Sequence, residues 1–231
     1  FEGSTTFNQD IRYWNTSGLT YLLTDMFKDA TAMLNEYPNP PFTTMAATPS
    51  YEFFNKTRIT DANFQTACTA WVDNSVNADI SYGPINYWNT SNVTIMANAF
   101  YHSPNNQNQF NDAIDRWNTS KVISMISMFS DATSFDQPIN TVDRTVNGIP
   151  YTAWDVSNVK TMMGMFGGAL MFNQPLDQWN VSNVDDMSQL FAYATSFNQA
   201  ESLYNWIPKV HVNITNIFLN SGLTVEQQYQ I

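Results

Sequence analysis

The sequence predicts an α/β repeat solenoid, a right-handed coil with short parallel strands on one face and helical turns on the opposite face. Three observations predict it. The tetrapeptide "WNTS" recurs at Trp14, Trp88 and Trp117, with "WDVS" at Trp154 and "WNVS" at Trp179. A phenylalanine stands 12 residues after each of Trp88, Trp117, Trp154, Trp179 and Trp206, at Phe100, Phe129, Phe166, Phe191 and Phe218. A further phenylalanine, six residues on, gives Phe135, Phe172 and Phe197, which open "FDQP", "FNQP" and "FNQA". Self-similarity at a fixed period is the signature of a repeat architecture.

The clearest unit is "FNQPLDQWNVSNVDDMSQLFAYATS", 25 residues from Phe172. In "LDQWNVS" the apolar positions Leu176, Trp179 and Val181 follow the L-x-x-L-x-L spacing of a leucine-rich-repeat strand. Trp179 and Val181 alternate with Asn180, as a short strand requires. Val184, Met187, Leu190, Phe191 and Ala194 then fall at offsets 0, 3, 6, 7 and 10, the spacing of one helix face. Ser182 with Asp185 resembles a capping box at that helix start. "TSFNQP" supplies Asn and Pro to turn the chain back. A unit of this size cannot bury its own apolar face, so it must stack on its neighbours.

The stacked core is therefore expected to hold Trp14, Trp88, Trp117, Trp154 and Trp179. With them come Phe27, Phe100, Phe129, Phe166, Phe191, Phe135, Phe172 and Phe197. Methionines such as Met96, Met125, Met162 and Met187 act as core filler. Phe27 stands 13 rather than 12 after Trp14. One array over 1–231 is interrupted near 34–57, 101–109 and 140–152, and a degenerate repeat is expected near 58–84. A C-terminal cap begins about 219. Phe1 sits six before Phe7, inside a repeat, so further array is expected upstream.

Charged residues are 13% of the chain and the formal net charge is −11, while Asn alone supplies 28 positions. A chain with 9 basic residues and no cluster of them excludes phosphate-neutralising nucleic-acid binding. No run approaches the roughly 20 apolar residues that span a bilayer, so direct membrane insertion of this segment is not expected. The single cysteine, Cys68, reads as a small buried hydrophobe, with a link to another chain as the alternative.

No residue pattern points to catalysis, a metal or a cofactor. His102 and His211 share no pattern, and the sequence lacks a Walker loop, G-x-G-x-x-G, H-E-x-x-H and C-x-x-C. Asp25, Asp29, Asp131, Asp136, Asp185 and Asp186 fall at turns and expected helix starts, where capping accounts for them. Seven sequons occur. Asn55, Asn213 and Asn92 are the candidate glycosylation sites, with Asn15, Asn89, Asn118 and Asn180 the weaker ones. At those last four, strand neighbours about 4.8 Å apart would crowd a glycan, so a polar ladder on the strand face is expected instead.

"FNQPLDQWNVSNVDDM" at 172–187 and "MFSDATSFDQPI" at 128–139 resemble BspA-like surface-protein repeats, a divergent leucine-rich-repeat group. The terminal "SGLTVEQQYQ" is similar to the segment that closes such arrays. The resemblance implies a non-catalytic extracellular, cell-surface or virion/appendage-surface protein, often adhesive. The long Pro-rich insertion and "WIPKVHV" in place of "WNVSNV" depart from the pattern. The expected partners are a protein or glycan on another surface, or copies of the chain itself. Tyr101, His102, Asn105 and Asn106 form the candidate interaction loop. The other readings are a structural subunit of a filament, appendage or virion, and a carbohydrate-binding module of a larger protein.

Overall fold

The computed structural model of the chain describes Trp14 and residues 56–101, 109–146 and 149–231. Repeat units headed by Trp88, Trp117, Trp154, Trp179 and Trp206 pair edge to edge. Parallel bridges join Ile95 to Ser124, Ser124 to Thr161, Thr161 to Asp186 and Asp186 to Asn213. Each bridge residue stands seven after its tryptophan.

Beyond the bridge the backbone alternates. In the Trp179 unit, the N–H groups of Met187, Gln189, Phe191 and Tyr193 donate to Asn213, Thr215, Ile217 and Leu219 of the next unit. The intervening N–H groups of Leu190, Ala192 and Ala194 turn back to Met187, Gln189 and Phe191. Every second peptide thus lies along the stack, and its neighbour closes a tight turn. Such a path needs left-handed residues. They recur ten after each tryptophan (Asn98, Ser127, Gly164, Gln189, Asn216) and again fourteen after (Asp131, Gly168, Tyr193, Asn220). Gly and Asn tolerate this region, while a side chain such as Tyr193 sits there at a cost of about 1–3 kcal/mol.

Two local expectations are corrected by this path. No helix forms over 182–194, because left-handed Gln189 and Tyr193 break it. Successive tight turns bury a residue every three or four positions, just as a helix does, so the apolar spacing alone does not separate them. The capping box is absent with the helix: Asp185 pairs with Lys209 instead. Nor is the Trp-Asn-x-Ser segment a strand. The bridge lies further on, where a helix was expected.

The rings form parallel columns. Trp88, Trp117, Trp154, Trp179 and Trp206 stack with centroids 6.0–6.4 Å apart. Phe100, Phe129, Phe166, Phe191 and Phe218 stack at 5.5–5.8 Å. Phe110, Phe135, Phe172 and Phe197 form a third column at 5.7–6.0 Å. Four of the indoles also donate to a carbonyl one unit back: Trp117 to Ile85, Trp154 to Ile114, Trp179 to Ile139 and Trp206 to Leu176. A fully buried Phe contributes about 1.5–3 kcal/mol of transfer free energy. Trp88, Trp117, Trp154 and Trp179 are buried with the seven phenylalanines at 100, 129, 135, 166, 172, 191 and 197. Trp14 departs from the core expectation, for it is 46% exposed. Phe27 lies outside the described residues.

Other elements flank the stack. Residues 58–84, where a degenerate repeat is expected, hold two helices, α1 (Phe64–Asp73) and α2 (Ser75–Tyr82). The Asn74 side chain caps α2 by accepting from the Asn77 N–H, and Gly83 closes it at φ 80°. Phe64, Ala67 and Cys68 of α1 are buried. The interruption at 140–152 carries an antiparallel hairpin of β1 (Val142–Val146) and β2 (Ile149–Ala153). Arg144 Nε and the Tyr151 hydroxyl tie it to the carbonyls of Asp115 and Arg116. The short helices α3 (Ala200–Leu203) and α4 (Val225–Gln230) follow, α4 opening on a capping box of Thr224 and Gln227.

Candidate interaction surface

Two asparagine-bearing motifs recur on the outside of the stack. In the Trp-Asn-x-Ser motif, Asn89 Oδ1 accepts from the Ser91 N–H at 3.1 Å and its hydroxyl at 2.7 Å. Asn118 does the same with Ser120. Asp155 and Asn180 accept from the N–H of Ser157 and Ser182. These are turns local to one unit, so the polar ladder expected at Asn89, Asn118 and Asn180 is not there. The threonines do reach across: Thr90 and Thr119 hydroxyls donate to the carbonyls of Asn118 and Asp155.

The ladder runs instead through Phe-[Asn/Asp]-Gln. Asn111 Oδ1 accepts from the Asp136 N–H (2.9 Å) and Gln137 Nε2 (3.0 Å). Asp136 Oδ1 accepts from the Asn173 N–H and Gln174 Nε2, both at 2.9 Å. Asn173 Oδ1 accepts from the Asn198 N–H at 2.9 Å. Gln227 of α4 donates Nε2 to Asn198 Oδ1, filling the place of the next glutamine. The recurring "FNQ" was visible in the sequence, but not that its amide spans units.

A second polar strip stands four residues after Trp88, Trp117, Trp154 and Trp179. Lys121 Nζ donates to Asn92 Oδ1, and Asn158 and Asn183 donate to the carbonyls of Ser120 and Ser157. Ile95 and Ile123 stand exposed beside the bridge row, and Met163 a little beyond it. Leu170, Met171 and Tyr193 are exposed at other positions of the Trp154 and Trp179 units. The lateral surface thus carries neutral amides in register from unit to unit, with isolated apolar side chains at differing positions among them.

Of the candidate interaction loop, Tyr101 is exposed, while His102, Asn105 and Asn106 lie outside the described residues. Of the sequons, Asn213, Asn92, Asn89 and Asn180 are exposed and Asn118 is half-buried; Asn55 and Asn15 lie outside the described residues. Cys68 is buried within α1, and burial pushes its thiol pKa well up, which suppresses the reactive thiolate. Among the described residues no three His, Cys, Asp or Glu side chains gather to hold a metal ion. No described helix is long and apolar enough to cross a membrane.

The family model described as "Mycoplasma protein of unknown function, DUF285" matches residues 1–81, 73–147 and 144–229. No curated protein and no solved structure matches the chain. With three tandem matches running along nearly its whole length, the chain belongs to the DUF285 repeat family.

Proposed function

We propose that the chain is a solenoid module of a cell or particle surface, acting without catalysis in adhesion or protein–protein contact, in the manner of BspA-like repeats. The observation that carries this reading is the division of labour within each unit. Rings and methionines fill the interior in columns, while amides and hydroxyls recur outward at equivalent positions, with single apolar side chains exposed among them. Many equivalent weak contacts give avidity rather than one deep pocket. A carbohydrate platform built from the repeat tryptophans is disfavoured, because Trp88, Trp117, Trp154 and Trp179 lie inside; Trp14 alone is exposed.

The test is protease shaving of intact cells or particles of the source organism, followed by mass spectrometry. Peptides of this chain are expected among those released without lysis. Peptides found only after lysis would sink the surface assignment.

A further inference from the structure

Four units follow the Trp88 unit, at 110–134, 135–171, 172–196 and 197–231, with 25, 37, 25 and 35 residues. Each leans on its neighbours. Between the last two, the N–H groups of Met187, Gln189, Phe191 and Tyr193 donate to Asn213, Thr215, Ile217 and Leu219, and Gly222 donates back to Ala194. Donors and acceptors rise together along the chain. Tension on the chain beyond Gly222 therefore falls first on its bond to Ala194, then on Tyr193–Leu219, and so down to Met187–Asn213. The row opens like a zipper, one bond at a time, and never shears as a group. The junction before it, where Met162, Gly164, Phe166 and Gly168 donate to Asp186, Ser188, Leu190 and Ala192, has the same geometry.

The units are held unequally. The helical pair grips two of them at once: Trp71 meets the Trp88 ring edge-on at 5.8 Å, Phe64 meets Trp117 at 5.5 Å, and Trp71 Nε1 donates to Asp112 at 2.8 Å. The hairpin of 135–171 holds 110–134 through Arg144 and Tyr151. The helices of 197–231 instead bind that unit to itself, Tyr204 to Gln230 and Gln227 to Asn198. Its N–H groups at Ile214, Asn216, Phe218 and Asn220 have no partner among the described residues. Ile214 is 53% exposed, where its counterpart Met187 is 1% exposed.

We infer that the solenoid is an extensible tether, which lengthens under tension by releasing whole units in turn, starting with 197–231, and re-stacks them when the load falls. A zipper-type row makes each release an event of one junction, while the units behind keep their own rows closed. The standing unit is the template for return. Its Leu176 carbonyl, its Asn173 amide and its N–H row stay in place for Trp206, Asn198 and the carbonyls of 213–219. The bonds to be remade span one unit, so the return is a local search. This goes beyond the proposed function, since contact through the sides requires no change of length.

The experiment is optical-tweezer extension of the 231-residue chain, held through Val76→Cys on exposed α2 and Ile231→Cys, with Cys68 buried and unlabelled. At about 3.4 Å a residue, the first three steps should add about 120, 85 and 125 Å, the lengths of 197–231, 172–196 and 135–171 in that order. Relaxation should recover them. Trp206→Ala should lower the force of the first step or abolish it, and leave the next two unchanged. Trp71→Phe, at the helical grip, should leave all three unchanged. Without load, hydrogen exchange at Met187, Gln189, Phe191 and Tyr193 should be about tenfold or more faster than at Met125, Ser127, Phe129 and Asp131. Extension in a single step overturns the inference, as do steps in another order or steps that do not recover. Equal exchange in the two rows overturns it too, and so does a Trp206→Ala chain whose circular dichroism shows every unit unfolded.

Discussion

Asn173 and Asn180 lie in one unit, seven residues apart, each next to a buried ring, yet their side chains bond in different directions. Asn180 accepts from Ser182, two residues along its own chain. Asn173 accepts from the Asn198 N–H, 25 residues away in the next unit. A side chain that satisfies its own turn stabilises one unit, and water can replace it. A side chain that accepts a neighbour's backbone N–H substitutes for a sheet bond and couples the two units. Asp61 belongs to the second kind: it accepts from the N–H and hydroxyl of Thr94, both at 2.6 Å, where the Trp88 unit meets the helical pair.

The comparison can be broken at several levels. The largest expected effect comes from the ring inside the tetrapeptide. Trp154→Ala removes a link of its column and the bond to Ile114, and should destabilise by about 3–5 kcal/mol in denaturant titration. Next is the inter-unit ladder. Asp136→Ala deprives the Asn173 N–H and Gln174 Nε2 of their acceptor, and about 1.5–3 kcal/mol should be lost, because the acceptor is charged.

Acid provides a third test. Burial opposes the charge of Asp61, but its hydrogen bonds from Thr94 and Ile95 outweigh that and hold its pKa below the ordinary 3.8. The Gln178 amide does the same for Asp177, with burial opposing and Asn140 assisting. A carboxyl depressed in the folded state lends stability that is present above its unfolded pKa and lost as pH falls through the folded value. The denaturation midpoint should therefore drop as pH falls below about 4, and Asp61→Asn should lessen that drop. The smallest effect belongs to the local turn. Asn180→Ala, at an exposed position, should change stability by no more than about 0.5 kcal/mol. A loss as large as that of Asp136→Ala would erase the distinction between the two motifs.

Much of the arrangement was legible. The columns of rings follow from spacing alone: residues at a fixed offset in stacked units must meet, whatever path joins them. The interruption at 140–152 was visible as an excess of residues between Phe135 and Trp154, and a hairpin occupies it. Other features were not legible. The left-handed positions hold Asn98, Ser127, Gly164, Gln189 and Asn216 in turn, too varied to announce a turn. The helical pair at 64–82 kept enough of the repeat's residues, in "TDANFQTA", to resemble one more unit. The exposure of Trp14 was hidden as well, because a motif does not reveal how much of each ring its surroundings cover.

The sequence by itself determined the period, the residues that stack, and the neutral-amide surface, because side-chain identity and spacing are written directly in it. Only the tertiary structure decided where each backbone N–H and each asparagine amide is spent. The same residues suit a helix turn, a local cap or a bond to the next unit, and the choice rests on which carbonyl the neighbouring unit brings within reach. That choice moved the bridge away from Trp-Asn-x-Ser and put the ladder at Phe-Asn-Gln.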